Sequence, residues 1–162
     1  MRHAKSAWDT GDVDHARPLN SRGRRQALEA ADYFLTDGIE VDHVLCSTSV
    51  RTRQTLERLL EGGITAHDVT FHDEIYGATA ADVMPLLRGL PDEASTVLFL
   101  GHWPGVEDLV VDLAVTDQHP GWGRLLEKFV TSAIAVIEFD GSWAELSSQQ
   151  ATLSDFVVPQ RR

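Results

Sequence analysis

The chain alternates short apolar runs with stretches of helical period. Residues 7–19 carry glycine, proline and several aspartates and follow neither period, so they read as a loop. Asn20 reads as a helix N-cap, with Leu28, Ala31, Phe34 and Leu35 at helical spacing behind it and Gly38 as the stop. Residues 41–46 form an apolar run fit for a buried strand, which breaks at Ser47-Thr48-Ser49. A helix is predicted from Val50 to about Leu60, closed by Gly62-Gly63. Residues 69–71 read as a short strand and residues 80–90 as a helix, where Pro85 must sit in the first turns or kink it. Residues 96–100 are the clearest strand, an unbroken apolar run of the kind a parallel sheet buries on both faces. A helix follows over 106–115, and residues 120–123 read as a loop. A closing β region is expected from strands at 132–139 and 143–146, with Asp140-Gly141 as a hairpin turn between them. Residues 150–158 close the domain, and Arg161 and Arg162 read as a frayed end.

Strands alternating with helices predict an α/β fold, a mainly parallel sheet with an antiparallel addition at its end. With no internal repeat and no linker composition, residues 1–162 read as a single domain. Composition narrows the class. A hydrophobic content of 43% over 162 residues supports a real core. A net charge of -11, with 25 acids against 14 bases, argues against sequence-independent nucleic-acid binding and against anionic membrane surfaces. One cysteine, Cys46, excludes an internal disulfide framework, and no metal-ligand spacing stands out among the seven histidines. No apolar run approaches the length of a membrane span and no signal-peptide pattern is present, so a cytoplasmic chain without metal or cofactor is the expectation.

In an open α/β sheet, ligands bind outside the carboxyl ends of the strands. His102 follows the 96–100 strand, Ser47, Thr48 and Arg51 follow the 41–46 strand, and Glu74 follows the 69–71 strand. Three loops thus deliver an imidazole, a guanidinium with hydroxyls, and a carboxylate to one edge. Arg2-His3-Ala4-Lys5-Ser6 holds a histidine between cations and a hydroxyl, a set suited to a phosphoryl group: arginine offers a fork of donors, and imidazole is a nucleophile at neutral pH. Taken alone this stretch reads as a solvated start. To join the site it should end a strand, yet only Met1 stands before it, so either a first strand is missing or the pair sits elsewhere.

The motifs together resemble the histidine phosphatase superfamily, the phosphoglycerate mutase-like branch, and within it the SixA-like phosphohistidine phosphatases. Arg2-His3-Ala4-Lys5-Ser6 is similar to the family signature. Arg17-Pro18-Leu19 with Gly23 is similar to a segment of the SixA-like group, and Cys46 through Thr55 to the turn that holds the catalytic arginine and a following Gln-Thr. Gly101-His102-Trp103-Pro104-Gly105 is similar to a Gly-His-Asn-Pro-Gly motif with tryptophan in place of asparagine, and Thr131 to Ala135 to a further SixA-like stretch. The resemblance spans nearly the whole chain and implies a three-layer α/β/α fold with a mixed central sheet, its first strand truncated here. It implies His3 as a nucleophile that becomes phosphohistidine, Arg2 and Arg51 as the clamp on phosphoryl oxygens, and His102 as a second imidazole on the same group. Arg17 would add a phosphate-side contact, with Ser6 or Ser47 as minor donors, and Glu74 would protonate the leaving group, with Asp73 the alternative by spacing.

The activity so implied is a metal-independent phosphatase acting on phosphohistidine in a protein or on another phosphomonoester. A small-molecule phosphatase or mutase of the same superfamily and a non-catalytic phosphate- or partner-binding domain are the alternatives. The partner is then a phosphorylated protein or a small phosphorylated metabolite. His15, His43, His67, His72 and His119 read as ordinary structural or surface histidines, and Lys5, Arg22, Arg24, Arg25 and Arg53 as solvated charges. Trp103 and Trp122 either wall the pocket or pack.

Overall fold

A computed structural model describes residues 1–160. Three parallel strands, β1 (Val41–Ser47), β2 (Ala66–His72) and β3 (Val97–Leu100), lie in the order β2-β1-β3, and β4 (Ile134–Glu138) pairs antiparallel with β5 (Thr152–Val157). The expected parallel sheet with an antiparallel addition is therefore present. Helices α1 (Ser21–Thr36) and α2 (Val50–Glu61) bury one face through Ala30, Phe34, Leu56 and Leu59 against Val44 and Cys46. Helices α3 (Ala80–Arg88), α4 (Gly105–Leu113) and α5 (Gly121–Glu127) bury the other through Val83, Leu109 and Leu125 against Leu45. Val44, Leu45 and Cys46 of β1 alternate between these two clusters, as in a strand covered on both faces.

The predicted cap and stop of α1 form, and Ser49 caps α2 besides. Asn20 accepts from the Gly23 amide at 2.8 Å, Ser49 accepts from the Thr52 amide at 3.4 Å, and Gly38 takes a left-handed φ of 66° just past α1. Three readings need correction. Residues 143–146 are not a strand: Trp143–Glu145 is a 3-10 turn, pinned by the Trp143 indole donating to the Ala94 carbonyl at 2.6 Å. The antiparallel partner of β4 is β5 instead, whose burial alternates along Thr152–Val157. The loop expected at 120–123 opens α5, where burial of Trp122 and Leu125 outweighs the poor helix propensity of two glycines. The reading of Arg161 and Arg162 lies outside the described residues.

The expected gap at the start is partly filled. Met1 to His3 run as a stub of strand between β3 and the entry to β4. The Met1 nitrogen donates to the Phe99 carbonyl, Gly101 to the Met1 carbonyl, and His3 to the Gly101 carbonyl, at 2.8, 3.2 and 3.0 Å. On the other side Arg2 donates to the Ala133 carbonyl and Ser132 to the His3 carbonyl, both at 3.1 Å. This stub joins the two sheets and sets the nucleophile candidate at a strand end, where the topology requires it.

Candidate active site

Each candidate side chain is placed by a local feature of the chain. His3 ends the stub. Arg51 lies in the first turn of α2, immediately after β1, and His102 follows β3. Residues 4–7 then run beside 18–20, with Asn20 donating to the Lys5 carbonyl and Ala7 to the Pro18 carbonyl, which carries Arg17 back over the site. The Gln-Thr pair behind Arg51 fastens these segments: Gln54 accepts from the Leu19 amide at 2.7 Å, and Thr55 accepts from the Ala4 amide at 3.0 Å. Ser132 closes the far side in a left-handed conformation with φ 69°, which costs energy for a residue other than glycine and is held by its bonds to His3 and Gln26.

The result is a cleft of about 170 Å³ lined by Arg2, His3, Ser6, Arg17, Arg51 and His102, with Trp8 and Trp103 at its exposed rim. His3, Arg17, Arg51 and His102 are all less than a tenth exposed. The imidazoles of His3 and His102 lie 5.2 Å apart, centroid to centroid, with Arg51 between them. Arg51 donates from Nε to His3 Nε2 at 3.2 Å and from Nη2 toward His102 Nδ1 at 3.3 Å. Arginine only donates, so both ring nitrogens accept and bear a lone pair. His3 Nδ1 lies 2.7 Å from the Ala4 carbonyl, which only accepts, so the ring hydrogen is on Nδ1 and the free lone pair is on Nε2. His102 correspondingly donates from Nε2 to Ser47 Oγ at 2.8 Å, which places Ser47 behind His102 rather than in the cleft.

Burial, reinforced by the surrounding cations, lowers both histidines to about 3, so both rings are neutral at pH 7. Arg2 is lowered too, first by burial and then by Arg51. One Arg2 nitrogen donates to the Phe129 carbonyl at 2.8 Å, while its buried Nε has no partner, the only such side-chain atom among the described residues. A buried guanidinium nitrogen without a partner is a cost that the fold carries at the wall of the cleft.

Two residues that sequence reasoning passed over join the cluster. Asp14, in a 3-10 turn of the 7–19 loop, accepts from Arg17 at 2.8 Å and from Arg51 at 3.1 Å. The Tyr76 hydroxyl donates to the same carboxylate. That hydrogen bond, then the two arginines, holds the Asp14 carboxyl well below the usual carboxylate range. The one signal in the sequence is the three-residue spacing of Asp14 and Arg17. Glu74 is exposed and does not line the cleft, and Asp73 accepts from the Thr48 hydroxyl at 2.6 Å. Among the described residues no group of three histidine, cysteine or acidic side chains is placed to hold a metal ion, and no helix is long and apolar enough to cross a membrane.

The chain belongs to the histidine phosphatase superfamily (branch 1), whose family model matches residues 1–76. An uncharacterized protein of Mycobacterium tuberculosis is 40% identical over 162 residues, covering 98% of this chain and 99% of its own. The phosphohistidine phosphatase SixA of Escherichia coli is 28% identical over 156 residues, covering 88% of this chain and 84% of its own. A solved structure of the protein histidine phosphatase SixA complexed with tungstate superposes with a TM-score of 0.81 at 27% identity, over 98% of this chain and 94% of that one.

Proposed function

We propose that the chain is a phosphatase that acts through a covalent phosphohistidine on His3, with protein-borne phosphohistidine as its substrate. The observation that carries this reading is the fixed tautomer of His3, which leaves a lone pair on a buried Nε2 beside Arg51. In the first step that lone pair attacks phosphorus, and the bond from phosphorus to the leaving nitrogen breaks with its electron pair on that nitrogen; the substrate ring already carries a proton on its other nitrogen, so a neutral imidazole departs. The Nδ1–H of His3 keeps its bond to the Ala4 carbonyl and carries the positive character that develops on the ring. In the second step water attacks phosphorus, the bond to Nε2 breaks, its electrons return to Nε2, and the water proton leaves with phosphate or to solvent.

Phosphoryl transfer has a loose transition state, so positioning and charge supply most of the rate. Arg51 and Arg2 bind the non-bridging oxygens, Arg17 adds a third cation, and these charges serve without a metal. His102, whose cleft-facing Nδ1 accepts from Arg51, holds that guanidinium in place and bonds a phosphoryl oxygen itself only once Nδ1 has taken up a proton. With Asp14 ionised and Glu74 outside the cleft, no carboxylic acid among the described residues lines the cleft to protonate a leaving group. This favours an imidazole, which leaves more readily than an alkoxide. The tungstate bound by the SixA relative, a tetrahedral oxyanion, supports the assignment of an oxyanion pocket. The open rim between Trp8 and Trp103 suits a phosphate presented on a protein. The test is incubation with a histidine-phosphorylated protein and with sugar phosphates, alongside trapping of the phosphoenzyme. Phosphohistidine should be the faster substrate, EDTA should leave the rate unchanged, and an acid-labile phosphoenzyme should vanish in His3→Ala. Unchanged turnover in His3→Ala would sink the assignment.

A further inference from the structure

The four tryptophans divide into two pairs. Trp122 is buried, and Trp143 packs against the same core cluster. Trp8 and Trp103 enter no core: they are 73% and 53% exposed, and both line the mouth of the cleft. An exposed indole leaves a large apolar surface in water. A single one needs no explanation, but two at the rim of one pocket define a surface.

Both are held by charged partners. The Arg17 guanidinium lies over the Trp8 ring, its carbon 3.8 Å from the ring centroid. That guanidinium is itself fixed in its plane, donating to the Ser6 hydroxyl at 3.0 Å, the Ala7 carbonyl at 2.9 Å and Asp14 at 2.8 Å. Trp103 donates from its indole nitrogen to the Glu107 carboxylate, in the first turn of α4, at 3.1 Å. The rim is thus ordered before anything binds, which spares a ligand that cost.

The cleft beneath is small. Its volume of about 170 Å³ holds about five or six water-sized groups at about 30 Å³ each. A phosphoryl group in line with His3 takes most of that room, so whatever carries the phosphoryl group lies at the mouth, against the indoles.

We propose that Trp8 and Trp103 form a binding site for the leaving group, and that they select a flat aromatic ring, the imidazole of a phosphohistidine. That ring is planar, and once protonated for departure it carries positive charge. An indole face attracts on both counts, by stacking and through the negative face of its quadrupole. A sugar or other alkyl carrier offers neither. The inference rests on the reading of the cleft as a phosphohistidine phosphatase and adds which residues recognise the carrier.

The experiment measures kcat/KM of the full chain, of Trp8→Ala and Trp103→Ala, and of Trp8→Phe and Trp103→Phe, on three substrates with a phosphorus–nitrogen bond. Phosphoramidate has no ring, N-phosphoimidazole carries the ring alone, and a histidine-phosphorylated protein carries the ring on a chain. The ratio of kcat/KM for phosphoimidazole to that for phosphoramidate should fall about 3–10-fold in each alanine variant. The phosphoprotein should lose as much, and phenylalanine should restore most of the ratio. An unchanged ratio overturns the inference, whether both small substrates slow together through Arg17 or only the phosphoprotein is affected. In that case wild-type turnover of all three substrates leaves the phosphatase reading standing. A wild-type chain that hydrolyses sugar phosphates and none of the three sinks that reading, and this inference with it.

Discussion

Replacing Gly23 with alanine sets two effects against each other. Gly23 lies in the first turn of α1, where alanine is favoured over glycine by about 1 kcal/mol. Packing opposes this. A Cβ at Gly23 would stand 2.0 Å from the Lys5 carbonyl oxygen and 2.8 and 2.9 Å from the carbonyl carbon and nitrogen of the same residue. Ordinary contact begins near 3.4 Å, so the Lys5 backbone must retreat by more than an ångström. That backbone is held by the Asn20 amide on its carbonyl and by Gln26 on its amide, at 3.0 and 3.1 Å. Stretching these bonds costs about 1 kcal/mol each, and overpacking a further 1–3 kcal/mol. The net loss is about 2–4 kcal/mol, a Tm fall of roughly 5–15 °C for a chain of this size. Because Lys5 lies two residues from His3, kcat should fall as well.

Gly123 supplies the control. It too is helical, in α5, but a Cβ there meets nothing within 4 Å. Gly123→Ala should therefore stabilise by about 0.5–1 kcal/mol from helix propensity alone. Denaturant unfolding of both variants decides the matter. A Gly23→Ala protein as stable as the wild type, or a Gly123→Ala protein that loses as much, would refute the packing argument.

Other tests follow from the same geometry. Arg51→Lys keeps the charge but cannot reach His3, His102 and Asp14 with one planar fork, so kcat should fall about 10²–10³-fold with Tm within a few degrees; near-normal turnover would count against the clamp. Tyr76→Phe removes the largest influence holding the Asp14 carboxyl low, so a carbon-detected NMR titration should show that carboxyl rising toward the ordinary range. Stability should climb with pH. The Met1 amine falls from 8.0 to about 5 on folding, and His3 and His102 fall from 6.5 to about 3, so the unfolded chain binds more protons between pH 3 and pH 8. The amine contributes about 4 kcal/mol between pH 5 and pH 8, and acetylating it should flatten that part of a Tm-against-pH curve. A curve already flat there would contradict the buried amine.

Local rules and spacing decided which features could be read from the sequence. The β1 and β3 runs, the Asn20 cap and the stop at Gly38 each depend on a few adjacent residues, and each formed. The failures depended on distant partners. Trp143-Ala144-Glu145-Leu146 carries strand-like alternation, but Trp143 is captured by Ala94 and the segment turns. Gly121 and Gly123 disguised α5, which exists because Trp122 and Leu125 have a core to enter. Strand β2 extends beyond the expected 69–71 because an edge strand needs only one neighbour and tolerates exposed side chains on both faces. In the site, the motifs marked Arg2, His3, Arg17, Arg51 and His102, while Asp14 and Tyr76 were invisible because 62 residues separate two groups that share one hydrogen bond.

The position of Asp14 changes how the cleft should be understood. Its carboxylate sits on Arg17 and Arg51, the cations assigned to phosphate, and spans them as an anion would. Arg51, which a phosphoryl group would meet, is thus already engaged, donating to His3, His102 and Asp14 at once. Such a carboxylate holds Arg51 aligned on Nε2 before substrate arrives, and it also repels the incoming anion. The half-exposed pair of Asp14 with Arg51 contributes little to stability, so its effect should appear in kinetics. Asp14→Asn removes the repulsion and loosens the alignment, so KM and kcat should both fall. If KM fell while kcat held, the carboxylate would be a competitor alone; if kcat fell while KM held, it would be a positioning group alone.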